Sequence, residues 1–504
     1  MKNVSTVFYI SVAILVLLVL AGIVMPADLE SITTSMQLYI SNSFGWYYLI
    51  VVTVFVAVCL FLLVSPIGRI KLGKQEDKPE FSRPTWLAML FSAGMGIGLV
   101  FYGSAEPISH YAISSPTGET GTEQAMQDAM RFTFFHWGIH AWAIYGIIAL
   151  SLAYFTFRKG EKSLISATLK PILGKYADGI AGKVIDIIAV LATVIGVATT
   201  LGFGAVQING GLSYLFGVPS NLMSQFLIVL VVTVLFVGSA LTGLGKGIKI
   251  LSNVNMILAF LLLIITFVFG PTVFTLNIFT DTIGSYMQQL INMSFRIAPL
   301  NEEHRTWINS WTIFYWAWWI AWSPFVGVFI ARVSKGRTIR EFVVYVLLVP
   351  SVIGFIWFST FGGAAMLLEH DGVASISKLA TEQSLFGVFA NYPMSAILSI
   401  LAIILVGTFF ITSADSGTFV LGMMTTDGSQ NPTNFVKVIW GVLLTAIALV
   451  LLYSGGLQGL QNMMIIAALP FSVVMALMTF SLLKALKKEA KEFGIGKLKK
   501  QKSS

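Results

Sequence analysis

The sequence predicts an all-α polytopic membrane protein of 12 transmembrane helices: two N-terminal helices, then a core of two five-helix repeats inverted with respect to each other. Three observations predict it. Apolar runs of the ~20 residues needed to cross a bilayer recur along the whole chain, whose 504 residues are 56% hydrophobic and only 11% charged. The basic residues alternate between loops in the positive-inside manner. Finally, the helices that open the two sets of five both carry helix-breaking residues at mid-membrane depth, a pattern that points to a central transport site.

The spans are drawn at roughly 6–26, 46–66, 85–105, 132–156, 184–208, 223–241, 251–270, 309–331, 342–363, 393–418, 435–454 and 460–483. With the N-terminus in the cytoplasm, all of the 31 Lys and Arg fall on the inner side except Arg131, Arg296, Arg305 and Lys378. Both termini are therefore expected in the cytoplasm of a multi-pass cell-membrane protein. The net charge of +8 follows this topology and implies no nucleic-acid partner. Cys59, the single cysteine, excludes an intramolecular disulfide and a thiolate metal site.

The expected units are 1–84 (two helices and a basic loop), 85–274 (first repeat), 275–306 (amphipathic extracellular linker), 307–483 (second repeat) and 484–504 (basic cytoplasmic tail). The first span is read as a retained helix, because Met25-Pro26-Ala27 is a poor signal-cleavage site. Span 3 carries Gly94, Gly96 and Gly98. Each glycine weakens a helix by about 1 kcal/mol. Close helix packing and an unwound segment facing a ligand are both consistent with them. In the second repeat, Pro324 and Gly327 are expected to interrupt span 8.

Span 4 reads His136-Trp137-Gly-Ile-His140-Ala-Trp142-Ala-Ile-Tyr145. Its two histidines are four apart, on one face of a continuous helix, but no third ligand stands out, so structural hydrogen bonding is expected rather than metal. Upstream, Glu106 is read as a solvated loop acid, with a gating or anchoring role as the alternative. Span 5 brings Thr193, Thr199 and Thr200, uncharged polar groups that often bond their own backbone. Span 8 holds Trp316, Trp318, Trp319 and Trp322 within seven residues. Indoles so deep serve either tight packing or a cation-binding box, since aromatic faces attract quaternary ammonium groups. In span 10, Phe409-Phe-Ile-Thr412-Ser413-Ala-Asp415 offers adjacent hydroxyls of the kind a small cation needs. Asp415 is a functional candidate or a brace. The tail from Lys484 carries eight lysines, which would attract anionic lipid.

Together, Gly94-Met-Gly-Ile-Gly98, the 136–145 segment, Trp316-Ala-Trp-Trp-Ile-Ala-Trp-Ser-Pro-Phe325 and Thr412-Ser-Ala-Asp-Ser416 resemble the betaine/carnitine/choline transporter family over nearly the whole chain. The resemblance is strongest to its sodium-coupled glycine betaine carriers of Gram-positive bacteria. It implies an amino-acid/sodium symporter-like core, often trimeric, and a transporter without cofactor rather than an enzyme. It further implies substrate contacts from Trp137, Trp142, Tyr145, Trp319, Trp322, Gly94, Met95, Gly96 and Gly98, and a pathway lined by Phe314, Trp318 and Phe325. Sodium would sit near Met95, Phe409, Thr412 and Ser413, with Thr193 a candidate for a second ion. Choline carriers of the family tend to have aspartate where this chain has Gly98, so a zwitterion is expected as substrate. Choline, carnitine or ectoine transport, or sensing without flux, are the alternatives.

Overall fold

In a computed structural model that describes residues 4–94, 96–242 and 247–493, the chain is helical almost throughout. Residues 1–3, Met95, residues 243–246 of the inner loop before span 7, and the tail lysines beyond 493 lie outside the described residues. Helices α1 (Thr6–Val24) and α2 (Pro26–Val64) come first, the second started by Pro26, whose missing N–H costs nothing at that position. The broken pair α3 (Arg83–Gly94) and α4 (Ile97–Ala112) follows, then α5 (Glu123–Trp137), α6 (Ile139–Ala153) and the short α7 (Lys170–Leu173). Long α8 (Ile180–Phe216), α9 (Leu222–Thr242) and α10 (Gly247–Phe269) complete the first half. The second half runs through α11 (Thr272–Ser294), α12 (Glu302–Ile308), α13 (Phe314–Val333) and α14 (Ile339–His370). It ends with α15 (Ser384–Phe389), α16 (Ser395–Thr425) and α17 (Asn434–Glu492).

Local chemistry sets several starts. The hydroxyls of Thr122, Thr338 and Thr433 accept the N–H of the residue three further on, as N-caps do. Ten helices among the described residues are long and apolar enough to cross a membrane, against twelve spans expected. The difference lies in two places. Span 85–105 is the α3–α4 pair, neither half of which is long enough alone. Spans 435–454 and 460–483 are joined in α17, which bends at Gly456 (φ 56, ψ −141), a backbone geometry that only glycine adopts without strain.

Two expectations about interruptions are corrected. Helix α13 runs unbroken through Pro324 and Gly327. Proline cannot donate to the carbonyl four residues back, but the Ser323 hydroxyl donates to that Ile320 oxygen at 2.8 Å and replaces the missing bond. Gly327 lies where α13 crosses α6, and any side chain there would collide with Ile148. The irregular backbone of this segment is a π-helical turn at Asn309–Ile313, one step before α13. Span 4, read as continuous, is broken at Gly138 (ψ −142). A Cβ there would fall 2.9 Å from both Phe355 and the Tyr286 hydroxyl, and that hydroxyl accepts the freed Ile139 N–H at 3.2 Å. His136 and His140 therefore sit in different helices, α5 and α6, not on one face.

The expected inner loops meet on one face of the protein. Residues 70–72 and 336–339 pair through backbone hydrogen bonds, Leu72 N–H to Arg337 O at 2.8 Å and Ile339 N–H to Ile70 O at 2.9 Å. Glu489, buried near the end of α17, accepts from Tyr154 at 2.7 Å and pairs with Lys159 at 2.6 Å and with Arg158. Arg158 donates in turn to Gly73 O at 2.7 Å. At the opposite end, Arg305 donates to the carbonyls of Ser41 and Asn42, and Trp307 to that of Ser114. Within the bundle, α8 lies against α17 and α16, and α13 packs on α6 and α8. This brings the tryptophan-rich helix to the centre.

Candidate functional site

The α3–α4 break faces α13 across a small cavity of about 30 Å³, walled by Gly96, Ile97, Gly98, Leu99, Trp137, Tyr145, Thr200, Trp318, Trp319 and Trp322. Gly96 (φ −151, ψ −152) takes the chain out of helical geometry, so α4 begins at the cavity wall. The first amides of a helix have no partner within it and carry partial positive charge. One wall is thus polar backbone. The remainder is aromatic apart from Thr200.

Each ring is fixed by a contact that spacing alone does not show. Trp322 donates through Nε1 to Gly196 O at 2.9 Å. It reaches that carbonyl because Gly196 has no side chain; a Cβ there would lie 2.9 Å from the indole and 3.1 Å from Ala321 O. Trp318 Nε1 donates to Thr200 Oγ1 at 3.3 Å, and Thr200 donates to Gly196 O at 3.2 Å. Trp319 meets Tyr145 at 4.8 Å between ring centroids and Trp137 at 5.6 Å, and its own Nε1 is buried with no partner among the described residues. Gly98 is covered by two indoles. A Cβ on it would collide with Trp318 and stand 3.3 Å from Trp137.

Among the expected substrate contacts, Trp137, Tyr145, Trp319, Trp322, Gly96 and Gly98 share the cavity wall. Trp142 does not; it is fully buried behind Trp319, centroids 5.9 Å apart, and beside Tyr145 at 5.6 Å. Gly94 is the last residue of α3, just ahead of the break. Of the expected pathway residues, Trp318 forms part of the wall itself. Phe314 stacks on Trp318 at 5.7 Å and Phe325 stands edge-on to Trp322 at 5.4 Å, so the two flank the cavity along α13. Leu99 is a wall residue that the sequence reading did not single out, and Thr200, read there only as one of the uncharged polar groups of span 5, is part of the wall as well.

Of the expected sodium residues, Phe409, Thr412 and Ser413 lie on α16. Thr412 Oγ1 donates within its own helix, to Thr408 O at 3.0 Å and Phe409 O at 3.2 Å, and accepts from Asn255 of α10 at 3.0 Å. Ser413 is half-buried beside it. Thr193 donates to Ala189 O at 2.7 Å, within α8. Asp415 is buried and accepts from Ser239 of α9 at 2.6 Å, a brace between helices.

Glu106 departs most from expectation. It is no solvated loop acid but a fully buried residue of α4. Its Oε2 accepts from Trp137 Nε1 at 2.7 Å and from the Tyr315 hydroxyl at 2.5 Å. Its Oε1 lies 2.6 Å from His136 Nδ1 and 3.3 Å from His110 Nε2. These contacts engage about the four acceptor positions a carboxylate has. The three metal-capable side chains Glu106, His110 and His136 do converge, their ligand atoms within 4.8 Å of one another. His140 goes elsewhere, to Ser294 Oγ at 2.8 Å.

Comparison with known proteins agrees along nearly the full length. The chain is 61% identical over 492 residues to the glycine betaine transporter OpuD of Bacillus subtilis (strain 168), covering 98% of this chain and 96% of that one. It is 45% identical to an ectoine/hydroxyectoine transporter of Virgibacillus pantothenticus, covering 97% of each. A probable glycine betaine transporter of Desulfitobacterium hafniense (strain Y51) shares 44% identity over 97% of this chain and 98% of its own. The family described as BCCT, betaine/carnitine/choline family transporter, matches residues 6–491, and the chain belongs to it: a multi-pass membrane transporter, not an enzyme.

Proposed function

We propose that the protein takes up glycine betaine, or a closely related quaternary ammonium zwitterion, by sodium-coupled alternating access, for osmoprotection. The observation that carries this reading is the cavity itself: Trp137, Tyr145, Trp318, Trp319 and Trp322 opposite the first turn of α4. Desolvated aromatic faces attract a quaternary ammonium group by cation–π interaction. A helix N-terminus favours a carboxylate. Betaine carries one group of each kind, a short reach apart, and the two walls suit its two ends. Trp142 supports the box from behind by fixing Trp319 and Tyr145, and Gly94 leads into the break.

Sodium, in this reading, takes oxygen ligands from Thr412, Ser413 and the Phe409 carbonyl on α16, with Thr193 a candidate for a second ion. Phe314, Trp318 and Phe325 line the route. The units 85–274 and 307–483 act as inverted repeats after two N-terminal helices, giving twelve crossings with both termini in the cytoplasm. Their opening helices rock against the scaffold. The inward sodium gradient drives accumulation, the membrane potential adding ~2.3 kcal/mol per charge for each 100 mV. The working unit is a homotrimer, and the basic tail after Lys484 meets anionic lipid.

The test is uptake of radiolabelled glycine betaine into liposomes holding the purified protein, with and without an inward sodium gradient. Accumulation that requires the gradient is the expected result; exchange that ignores sodium refutes the coupling. Ectoine is the second reading, because a relative 45% identical carries that name. Competition by unlabelled ectoine that matches unlabelled betaine would favour it.

A further inference from the structure

We propose that Glu106 is a positioning residue that sets how strongly the cavity prefers a cationic head group, acting through the indole of Trp137. The proposal rests on the cavity being the ammonium site. Glu106 lies on α4 outside the cavity wall, yet its buried carboxylate holds Trp137, which is part of that wall, by an Nε1–H bond of 2.7 Å. The same oxygen takes the Tyr315 hydroxyl of α13 at 2.5 Å. One acid therefore ties together α4, α5 and α13, the helices that supply the backbone wall and most of the rings.

Two physical effects follow. A hydrogen bond to an ionised acceptor is roughly twice as strong as a neutral one. It fixes the Trp137 ring edge-on to Trp318 and Trp319, whose centroids are 6.1 and 5.6 Å away. It also polarises the indole: withdrawing the N–H proton towards a carboxylate leaves more electron density on the ring. Cation–π attraction depends on that density. Glu106 thus strengthens the face offered to the ammonium without touching the substrate. The surrounding rings support a fixed geometry, with His136 stacked on Tyr315 at 4.8 Å and Trp137 edge-on to Tyr315 at 5.5 Å.

The experiment compares two solutes in liposomes carrying the full-length protein: betaine, and 3,3-dimethylbutyrate, in which a neutral tert-butyl group replaces the trimethylammonium. Glu106→Gln keeps the side-chain shape and removes the charge. The expected result is a roughly tenfold rise in the betaine KM with little change in kcat. The inhibition constant of the isostere should hardly move, so selectivity for the cation falls about tenfold as well. In a Trp137→Phe background, which has no N–H to donate, Glu106→Gln should cause no further loss of selectivity. A variant that weakens betaine and isostere equally, or lowers kcat alone, shows a purely structural role and overturns the proposal. Should Glu106→Gln not fold, Tyr315→Phe frees Oε2 for Trp137, and cation selectivity should hold or rise; a fall would overturn the proposal too. An unchanged betaine KM in Trp137→Phe would instead refute the cavity reading beneath it.

Discussion

Replacing Trp319 with leucine probes the aromatic cavity most directly. Its indole touches three other rings, Tyr145 at 4.8 Å, Trp137 at 5.6 Å and Trp142 at 5.9 Å, and is only 4% exposed. A cation over a ring that dry gains about 2 kcal/mol, at the upper end of the range. Loss of that energy corresponds to a roughly thirtyfold weaker affinity. Trp319→Leu should therefore raise the betaine KM about thirtyfold, while Trp319→Phe, which keeps a smaller π face, should cost only about three- to fivefold. The assay is initial-rate uptake into liposomes at saturating sodium, with thermal unfolding in detergent to show that each variant is folded. Leucine leaves an apolar wall behind, so greasiness is nearly conserved and the ring's electrostatics is what changes. A folded Trp319→Leu protein with near-normal KM would mean that no cation meets this face, and the cavity would have to be assigned to packing.

The other predictions concern the ion and the backbone. Thr412→Val removes the hydroxyl that faces Asn255; it should raise the sodium concentration for half-maximal uptake roughly tenfold while the betaine KM at saturating sodium changes little. A titration of uptake rate against sodium checks this. Ser323→Ala orphans the Ile320 carbonyl in α13 and should destabilise the protein by about 1 to 2 kcal/mol. The double variant Ser323→Ala/Pro324→Ala, which regains a backbone N–H for that carbonyl, should recover most of the loss in thermal unfolding. Gly456→Ala has open space for its methyl but the wrong backbone geometry, φ 56 and ψ −141. It should cost about 1 to 3 kcal/mol, and an unfolding midpoint equal to wild type would show that α17 does not bend there.

What the sequence by itself determined is whatever depends on local pattern. Backbone groups in a bilayer must be satisfied within the segment, so apolar runs alone identify helices and their order. Glycines two apart at 94–98 mark a weakened helix, open to close packing or to a break, and the break is there at Gly96. Helical spacing placed Trp318 and Trp322 on one face, and both line the cavity. Tertiary structure decided what those faces meet. Trp142 and Tyr145 are three residues apart, yet one backs the cavity while the other walls it. Pro324 reads as a break until the Ser323 hydroxyl is seen on the Ile320 carbonyl. Gly138 reads as one small residue in a continuous run until Tyr286, 147 positions away from the amide it caps, accepts the Ile139 N–H. Glu106 is the clearest case. Near a loop in sequence it looks solvated, but its partners Trp137 and Tyr315 lie 31 and 209 residues further on. A charge is tolerated in a dry interior only where donors converge on it, and that convergence exists only once the two halves of the chain have packed together.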